Sequence, residues 1–192
     1  MKPSQGFLKR VHHKLHNIFI EPLISSRNSP HFDALGVSLG LIIGFLIPVG
    51  GQLACLGLLR LVMRFNVIVA GAFTLVSNPF NMIPLYYGYY LLGSLVIGKP
   101  EQKLDFTSFE AIMNPIMNAD YFWESLDAFM NLSRAFLVRW VIAAVILSVV
   151  FGFLGYAVAY SIQKRRVMSA ATVMGRKYHS LTEKMKNERD NA

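Results

Sequence analysis

Two long stretches without a charged residue, 34–59 and 65–98, dominate this sequence, and each is interrupted near its middle by proline, glycine or asparagine. About 20 apolar residues suffice to cross a bilayer as one helix, so both stretches are long enough to cross but are broken on the way. Backbone outside a helix cannot face lipid, because hydrocarbon offers no water to its free N–H and C=O groups. The breaks must therefore be covered by protein or line a cavity, as the discontinuous helices of many transporters do.

The composition favours an integral membrane protein. Of the 192 residues, 54% are hydrophobic and 16% are charged, which is more apolar than a soluble domain. No short apolar core followed by a small-residue cleavage site occurs near the start of the sequence, so we expect no removed signal peptide. The single cysteine, Cys55, lies in an apolar segment and is predicted to be a small buried hydrophobic residue.

The net charge of +8 is unevenly spread along the chain. Residues 1–33 carry a net charge of +3, residues 99–134 carry −3 and residues 164–192 carry +5. Basic residues are retained on the cytoplasmic side of short loops, so this pattern predicts two cytoplasmic termini and an acidic segment on the periplasmic face. We therefore expect a multi-pass protein of the bacterial inner membrane, with no nucleic-acid partner.

The first 33 residues are predicted to form a cytoplasmic basic amphipathic helix, over residues 6–24, and a polar connector. A glycine repeat follows, at Gly36, Gly40 and Gly44. Small residues at this spacing lie on one face of a helix and allow a second helix to approach closely in lipid.

The first break is predicted around Pro48. Proline cannot donate a backbone hydrogen bond, and Gly50 and Gly51 allow backbone conformations closed to other residues, so the helix should end near Ile47. A second half-helix is predicted to resume at about Gln52.

The second break is predicted around Pro79, in the sequence SNPFNMIP. An odd number of crossings must separate a cytoplasmic N-terminus from a periplasmic acidic segment, so one broken stretch should cross and the other re-enter. Arg60 and Arg64 favour a cytoplasmic connection between the two stretches. This makes residues 34–64 a re-entrant hairpin and residues 65–98 a kinked crossing.

Residues 99–137 are predicted to be a periplasmic segment with two amphipathic helices lying on the membrane surface. Thr107 and Glu110 are spaced as a capping box for the first of these helices, and Asn114 and Pro115 are predicted to interrupt it. The second is predicted to run over residues 121–136.

A membrane domain over residues 34–163 is predicted to end in one continuous transmembrane helix, residues 138–163. Residues 164–192 are then a basic cytoplasmic tail, predicted to be an exposed helix or partly disordered. The fold class predicted from the sequence is therefore an all-α integral membrane protein with broken or re-entrant helices and flanking amphipathic interfacial helices.

Polar side chains at the two breaks are candidates for ligand binding. Helix ends offer unpaired N–H groups and partial charge there, which suits an anionic headgroup or a small polar solute. A second interpretation is that these side chains only satisfy backbone groups opened by the prolines. The candidates are Gln52, Ser77, Asn78 and Asn81, with Pro48, Gly50, Gly51 and Pro79 shaping the site.

Arg60 and Arg64 lie four residues apart and so share one helix face. Their guanidinium groups could form a clamp for a phosphate, for which a lipid headgroup is the natural source. The alternative is that they extend to the membrane interface and anchor the connection between the broken stretches.

Residues with the chemistry of an enzyme are not apparent. The sequence has no recognisable nucleophile and base pair or phosphate-binding loop, and residues 34–98 contain no aspartate or glutamate. His12, His13 and His16 lack an accompanying cysteine or carboxylate cluster, so no metal site is predicted. We expect a non-enzymatic protein without a cofactor.

Three motifs carry a resemblance to a known family: GFLIPVGGQ, RLVMRFNVIVAG and SNPFNMIPLYYGYYLLG. In this order they resemble the core of a bacterial inner-membrane family, the domain of unknown function 2062, over roughly residues 20–165. The resemblance implies a cell-envelope context, because some members are fused to glycosyltransferase domains and others are encoded near envelope-lipid genes. It implies no activity.

The function expected from the sequence is a transporter-like protein that handles an anionic lipid headgroup or a small polar solute at the broken-helix tips. Its expected partners are phospholipid or another anionic lipid, with a membrane protein or a second copy as further candidates. The main alternative is a membrane scaffold or an assembly subunit of a larger envelope complex.

Overall fold

The computed structural model describes residues 28–98 and 104–190. The amphipathic helix predicted over residues 6–24, and the three histidines within it, lie outside the described residues. Within the described ranges the protein is all-helical, with seven α-helices and no strand. The helices are α1 (Pro30–Leu46), α2 (Gln52–Val62), α3 (Val67–Thr74), α4 (Met82–Ile97), α5 (Phe106–Met117), α6 (Phe122–Met130) and α7 (Arg134–Asp190).

Both predicted interruptions are present in the structure. Helix α1 ends at Leu46 and α2 begins at Gln52, and the loop between them contains Pro48 and a glycine, Gly50, with a positive φ of 107°. Residues that have a Cβ atom rarely adopt this φ value, so glycine is required at position 50. Helices α3 and α4 are likewise separated by residues 75–81.

The glycine repeat of α1 packs against α3, which confirms the close helix approach predicted from the sequence. A Cβ atom added to Gly36 would lie 2.6 Å from the backbone oxygen of Asn66, and one added to Gly44 would lie 3.1 Å from that of Thr74. At Gly40 the added atom would meet the backbone oxygen of Ala70. Since each pair is separated by 30 residues, α1 and α3 run parallel.

Helix α2 carries the chain back from the end of α1 towards its start, which allows α3 to run parallel to α1. It begins beside the end of α1, and the extended residues after it bring Asn66 back to the start of α1, where its N–H donates to the Phe32 carbonyl over 3.2 Å. Helix α3 then repeats the direction of α1. Helix α4 continues in that direction beyond the end of α1, since Tyr90 in its second half packs on Phe136 near the start of α7, whereas Phe45 at the end of α1 packs on Phe151. In the middle of α4, the Tyr89 hydroxyl donates to the Phe45 carbonyl over 2.8 Å.

Helix α7 runs antiparallel to α1 and α4 and packs against both. The rings of Phe45 and Phe151 stack at a centroid distance of 5.0 Å, and those of Tyr90 and Phe136 at 6.2 Å. Near the start of α7, Arg139 donates from Nη2 to the Gly98 carbonyl over 3.1 Å and so caps the end of α4. At 57 residues, α7 is about 85 Å long and extends far beyond the bundle.

The prediction of a single amphipathic helix over residues 121–136 is wrong. The helix predicted over 121–136 ends at Met130, and α7 begins four residues later because Ser133 caps it, with its Oγ 3.3 Å from the Phe136 N–H. The segment predicted as a transmembrane helix, residues 138–163, is helical throughout. It belongs to the single helix α7, which also includes the tail as far as Asp190.

The capping box predicted for α5 is also wrong. Asp105 is the cap residue, and its Oδ1 accepts a hydrogen bond from the Ser108 N–H over 2.9 Å. The hydrogen bonds from Ser108 hold the pKa of the Asp105 carboxyl below its usual value. Pro115 does not interrupt the helix, because it lies in the last turn of α5, where its missing N–H removes only one helical hydrogen bond.

An aromatic cluster joins α4, α5, α6 and the start of α7. The Trp140 ring lies against Tyr86 at a centroid distance of 5.4 Å and against Phe129 at 5.1 Å, both in edge-to-face geometry. Phe109 of α5 is fully buried in the same cluster. The two amphipathic helices are thus fixed to the end of the bundle that α4 reaches.

Among the described residues, one helix is long and apolar enough to cross a membrane, judged by length and composition. This is α7 over Arg134–Lys177, and only 22% of its most apolar 18 residues are buried in the protein. Helices α1, α2 and α4 are apolar but shorter. Large hydrophobic side chains are also exposed outside α7, including Leu61, Val62, Ile68, Phe80 and Leu95.

Replacement of Gly40 by alanine should destabilise the fold. The new methyl group would lie 2.8 Å from the Phe73 Cβ and would meet the backbone of Ala70, which cannot move without displacing α3. We expect a loss of about 1–3 kcal/mol in the free energy of unfolding, measured by circular dichroism in detergent. Gly71→Ala is the matched control, since a Cβ there meets nothing within 4 Å and should leave stability unchanged or slightly raised. Equal stabilities would contradict the packing described here.

Candidate functional site at the junction of the two breaks

The two breaks meet at a buried hydrogen-bonded junction. Gln52, the first residue of α2, donates from Nε2 to the Ser77 hydroxyl over 2.6 Å. Ser77 belongs to the second break, and its hydroxyl donates to the Gly44 carbonyl over 2.6 Å. Both side chains are buried, at 6% and 1% exposure. The junction thus links the end of α1, the start of α2 and the α3–α4 connection.

Pro48 creates the need for these hydrogen bonds. In a continuous helix the Gly44 carbonyl would accept from the N–H four residues later, but that position is Pro48, which has no N–H. The Ser77 hydroxyl takes that place, and Gln52 Nε2 lies within 3.3 Å of the same oxygen. Gln52 also donates to the Ile47 carbonyl over 3.2 Å. The side chains at the first break therefore satisfy backbone groups that the proline leaves open.

Asn78 and Asn81 stabilise the second break in a similar way. The Asn81 side chain accepts from the Asn78 N–H over 2.8 Å and donates to the Val76 carbonyl over 2.8 Å. The Asn78 side chain accepts from the Phe80 N–H over 2.9 Å and donates to the Leu75 carbonyl over 3.0 Å. Each asparagine thus uses both its oxygen and its nitrogen on the backbone of the turn.

Helix α6 packs on the loop of the first break, next to the junction. A Cβ atom added to Gly50 would lie 2.7 Å from the Phe122 ring, so the first residue of α6 sits directly on the positive-φ glycine. Beside Phe122 is a cleft of about 10 Å³, lined in part by Pro48, Val49 and Tyr86. This volume is about that of one water molecule. Gln52 and Ser77 do not line this cleft, and both are buried, so the junction itself is closed in this structure.

The two arginines do not lie at the junction. Arg60 is in the last turn of α2, eight residues beyond Gln52, which corresponds to about 12 Å along the helix. Its Nη1 donates to the Met63 carbonyl over 3.3 Å, and Arg60 and Arg64 are both exposed. The structure therefore brings Gln52 close to the second break but places the arginines near the start of α1.

A second buried polar cluster lies at that other end of the bundle, and sequence reasoning missed it. Asp33 is fully buried, and its carboxylate accepts from the Asn66 side chain over 2.7 Å and from the Gln163 side chain over 3.0 Å. Gln163 in turn accepts from Arg166 Nη1 over 2.8 Å. Two signals were present in the sequence: Asp33 directly precedes the first uncharged stretch, and Gln163 is the last residue before the basic run KRR.

Charges of opposite sign occupy the two ends of the bundle. The end that contains Asp33, here called the basic end, has exposed or partly exposed cations on α2, on its connection to α3 and on α7. The end formed by α5 and α6, here called the acidic end, has exposed carboxylates that, among the described residues, outnumber its exposed cation, Arg134 of α7. The cations are Arg60, Arg64, Lys164, Arg165 and Arg166, and the carboxylates are Asp105, Glu110, Asp120, Glu124 and Asp127. The residues in the described ranges include no group of three metal-ligating side chains.

Comparison with known proteins identifies a family but no close relative. A family model described as an uncharacterized protein conserved in bacteria, DUF2062, matches residues 10–171. No curated protein and no solved structure matches the chain.

A double-mutant cycle should reveal coupling across the junction. Gln52→Ala and Ser77→Ala each remove one partner from a buried network, so each should cost about 1–3 kcal/mol of the free energy of unfolding. Because the two side chains share a hydrogen bond and the Gly44 carbonyl, the double variant should deviate from additivity by about 0.5–3 kcal/mol. The control cycle pairs Gln52→Ala with Ser161→Ala, an exposed serine of α7, and should be additive. Additivity in both cycles would mean that the breaks are not linked.

Proposed function

Since the chain belongs to the uncharacterised bacterial family DUF2062, we propose its function from its own geometry: a non-enzymatic, transporter-like protein of the inner membrane. In this proposal it handles an anionic lipid headgroup or a small polar solute where the two broken segments meet. The observation that carries the proposal is the buried hydrogen-bonded junction of Gln52, Ser77 and the Gly44 carbonyl.

Two features support a membrane location. The apolar part of α7 is mostly unburied, whereas the core helix of a soluble protein would be mostly buried. The cations and carboxylates lie at opposite ends of the bundle, as expected for a protein with its basic end in the cytoplasm and its acidic end in the periplasm. Exposed apolar side chains between these ends would then contact acyl chains.

The path of the chain supports a specific topology. Helix α1 leaves the basic end and α2 returns to it, so residues 34–64 would form a re-entrant hairpin. Helices α3 and α4 run in one direction towards the acidic end, so residues 65–98 would form a kinked crossing. Residues 99–137 would then lie in the periplasm, and residues 138–163 would return the chain to the cytoplasm, where both termini lie.

The junction suits a site that opens and closes. Backbone groups of the two breaks are paired with side chains, and a side chain can exchange its partner for a ligand without unwinding a helix. Polar groups of a solute or headgroup could replace the contacts of Gln52 with the Ile47 and Gly44 carbonyls. Arg60 and Arg64 would attract an anionic ligand to the basic end, since guanidinium groups pair well with phosphate.

A scaffold or assembly subunit is the second candidate, and the part of α7 beyond the bundle favours it. Residues 164–190 continue as a helix for about 40 Å, a length that the bundle does not need for its own packing. This segment exposes apolar side chains, among them Val167, Met168 and Met174. A partner protein in the cytoplasm would explain both properties.

The topology can be tested by cysteine labelling in a Cys55→Ser background. Ser108 lies in α5 at the acidic end and Ser180 lies in the basic extension of α7, and both are exposed. A membrane-impermeant maleimide added to intact spheroplasts should label Ser108→Cys and should label Ser180→Cys only after lysis. Labelling of both positions from one side would contradict the proposed crossing by α7.

Transport can be tested in phosphatidylcholine vesicles that contain a fluorescent phosphatidylglycerol, with flipping followed by dithionite quenching. Arg60→Gln combined with Arg64→Gln should lower the flipping rate about tenfold, because both cations that attract the headgroup are lost. Arg176→Gln combined with Lys177→Gln removes the same charge from the extension of α7 and should retain the wild-type rate. Absence of flipping by the wild-type protein, together with a stoichiometric partner in pull-downs from membranes, would instead support the scaffold.

A further inference from the structure

Two adjoining grooves follow the surface of α7 where its apolar segment ends. The first is a shallow, open groove of about 320 Å³ along one face of α7; it is lined by Ala157, Val158, Ser161, Ile162 and Arg165 and is mainly apolar. The second, of about 460 Å³, lies at the basic end and is lined by residues that include Gln163, Arg165, Arg166 and Ser169. Arg165 borders both grooves. One continuous surface therefore passes from apolar side chains to two guanidinium groups within about three helical turns.

The two arginines of the second groove are held differently. Arg166 is positioned by the buried cluster, because its Nη1 donates to Gln163 and Gln163 donates to the carboxylate of Asp33. Arg165 is exposed, and no hydrogen bond or ion pair to another described side chain occupies its guanidinium group. The groove thus has one cation fixed by the protein core and a second that is available beside it.

We infer that these grooves together bind one anionic phospholipid of the cytoplasmic leaflet. The phosphodiester would pair with Arg165 and Arg166, the polar headgroup would lie towards Ser169, and an acyl chain would follow the apolar groove along Ala157 and Val158. Guanidinium groups bind phosphate oxygens in bidentate fashion, and no carboxylate of the described residues lines the second groove. This inference rests on the membrane placement proposed above, but it requires neither transport nor an open junction.

The apolar groove decides between a lipid and a soluble phosphate. A free phosphate or a glycerol phosphate would contact only the guanidinium groups and would leave the surface of Val158 and Ile162 unused. A phospholipid contacts both grooves, and burial of its methylene groups adds to the affinity. Arg165, which borders both grooves, would then lie at the level of the phosphate.

The inference can be tested by native mass spectrometry of the full-length protein, released from nanodiscs of equal phosphatidylglycerol and phosphatidylcholine. The wild-type protein should retain one phosphatidylglycerol in preference to phosphatidylcholine. Arg165→Gln combined with Arg166→Gln should reduce this retention about tenfold, because the charge-assisted hydrogen bonds to the phosphate are lost. The matched control, Arg176→Gln with Lys177→Gln, removes the same charge from the same helix outside the grooves and should retain the lipid.

Two further measurements separate the alternatives. Ala157→Trp should fill the apolar groove and lower retention with both arginines intact, whereas Val149→Trp, at an exposed position of α7 outside the grooves, should not. Competition by millimolar glycerol phosphate as effective as that by phosphatidylglycerol would overturn the lipid assignment. So would equal retention by the two double variants. Loss of retention with a normal flipping rate would leave the proposed transport intact, and loss of flipping in Arg60→Gln/Arg64→Gln with normal retention would leave the lipid site intact.

Discussion

The Gly44 carbonyl is the group on which the arrangement of the two broken segments depends. Pro48 removes its helical donor, and an unpaired carbonyl at this buried position would cost about 1–3 kcal/mol. Its replacement donors come from the second break and from the start of α2, so two segments separated by about 30 residues must meet at one place. The proline thus forces a tertiary contact as well as ending a helix.

The glycine repeat makes this contact possible. A serine hydroxyl is short, and Ser77 reaches Gly44 only because α3 lies directly against α1 along Gly36, Gly40 and Gly44. Larger residues at these positions would separate the helices and remove Ser77 from the carbonyl. Packing and hydrogen bonding are therefore coupled in this bundle, because the same face of α1 provides the close approach and the unpaired group.

Features set by local chemistry could be predicted from the sequence. The break around Pro48 and the glycine face of α1 follow from single residue types and from helical spacing. The effect of Pro115 could not be predicted in this way, because a proline in the last turn has almost no helix after it to interrupt, and the end of α5 is not marked in the sequence. Ser133 and Asp105 illustrate the same difficulty, since several nearby residues are able to cap a helix and backbone geometry selects one.

The buried cluster around Asp33 could not be predicted, because its partners are distant in the sequence. Gln163 lies 130 residues away, and only the antiparallel packing of α1 on α7 brings the two side chains together. A buried carboxylate is tolerated only when hydrogen bonds replace the water it loses, so Asp33 fixes the start of α3 through Asn66 and the end of the apolar part of α7 through Gln163. The same chain of contacts reaches the surface at Arg166. Asp33 is not itself exposed, but it determines how a cation is presented at the basic end. A charge that appears isolated in the sequence thus connects the core of the bundle to its proposed membrane interface.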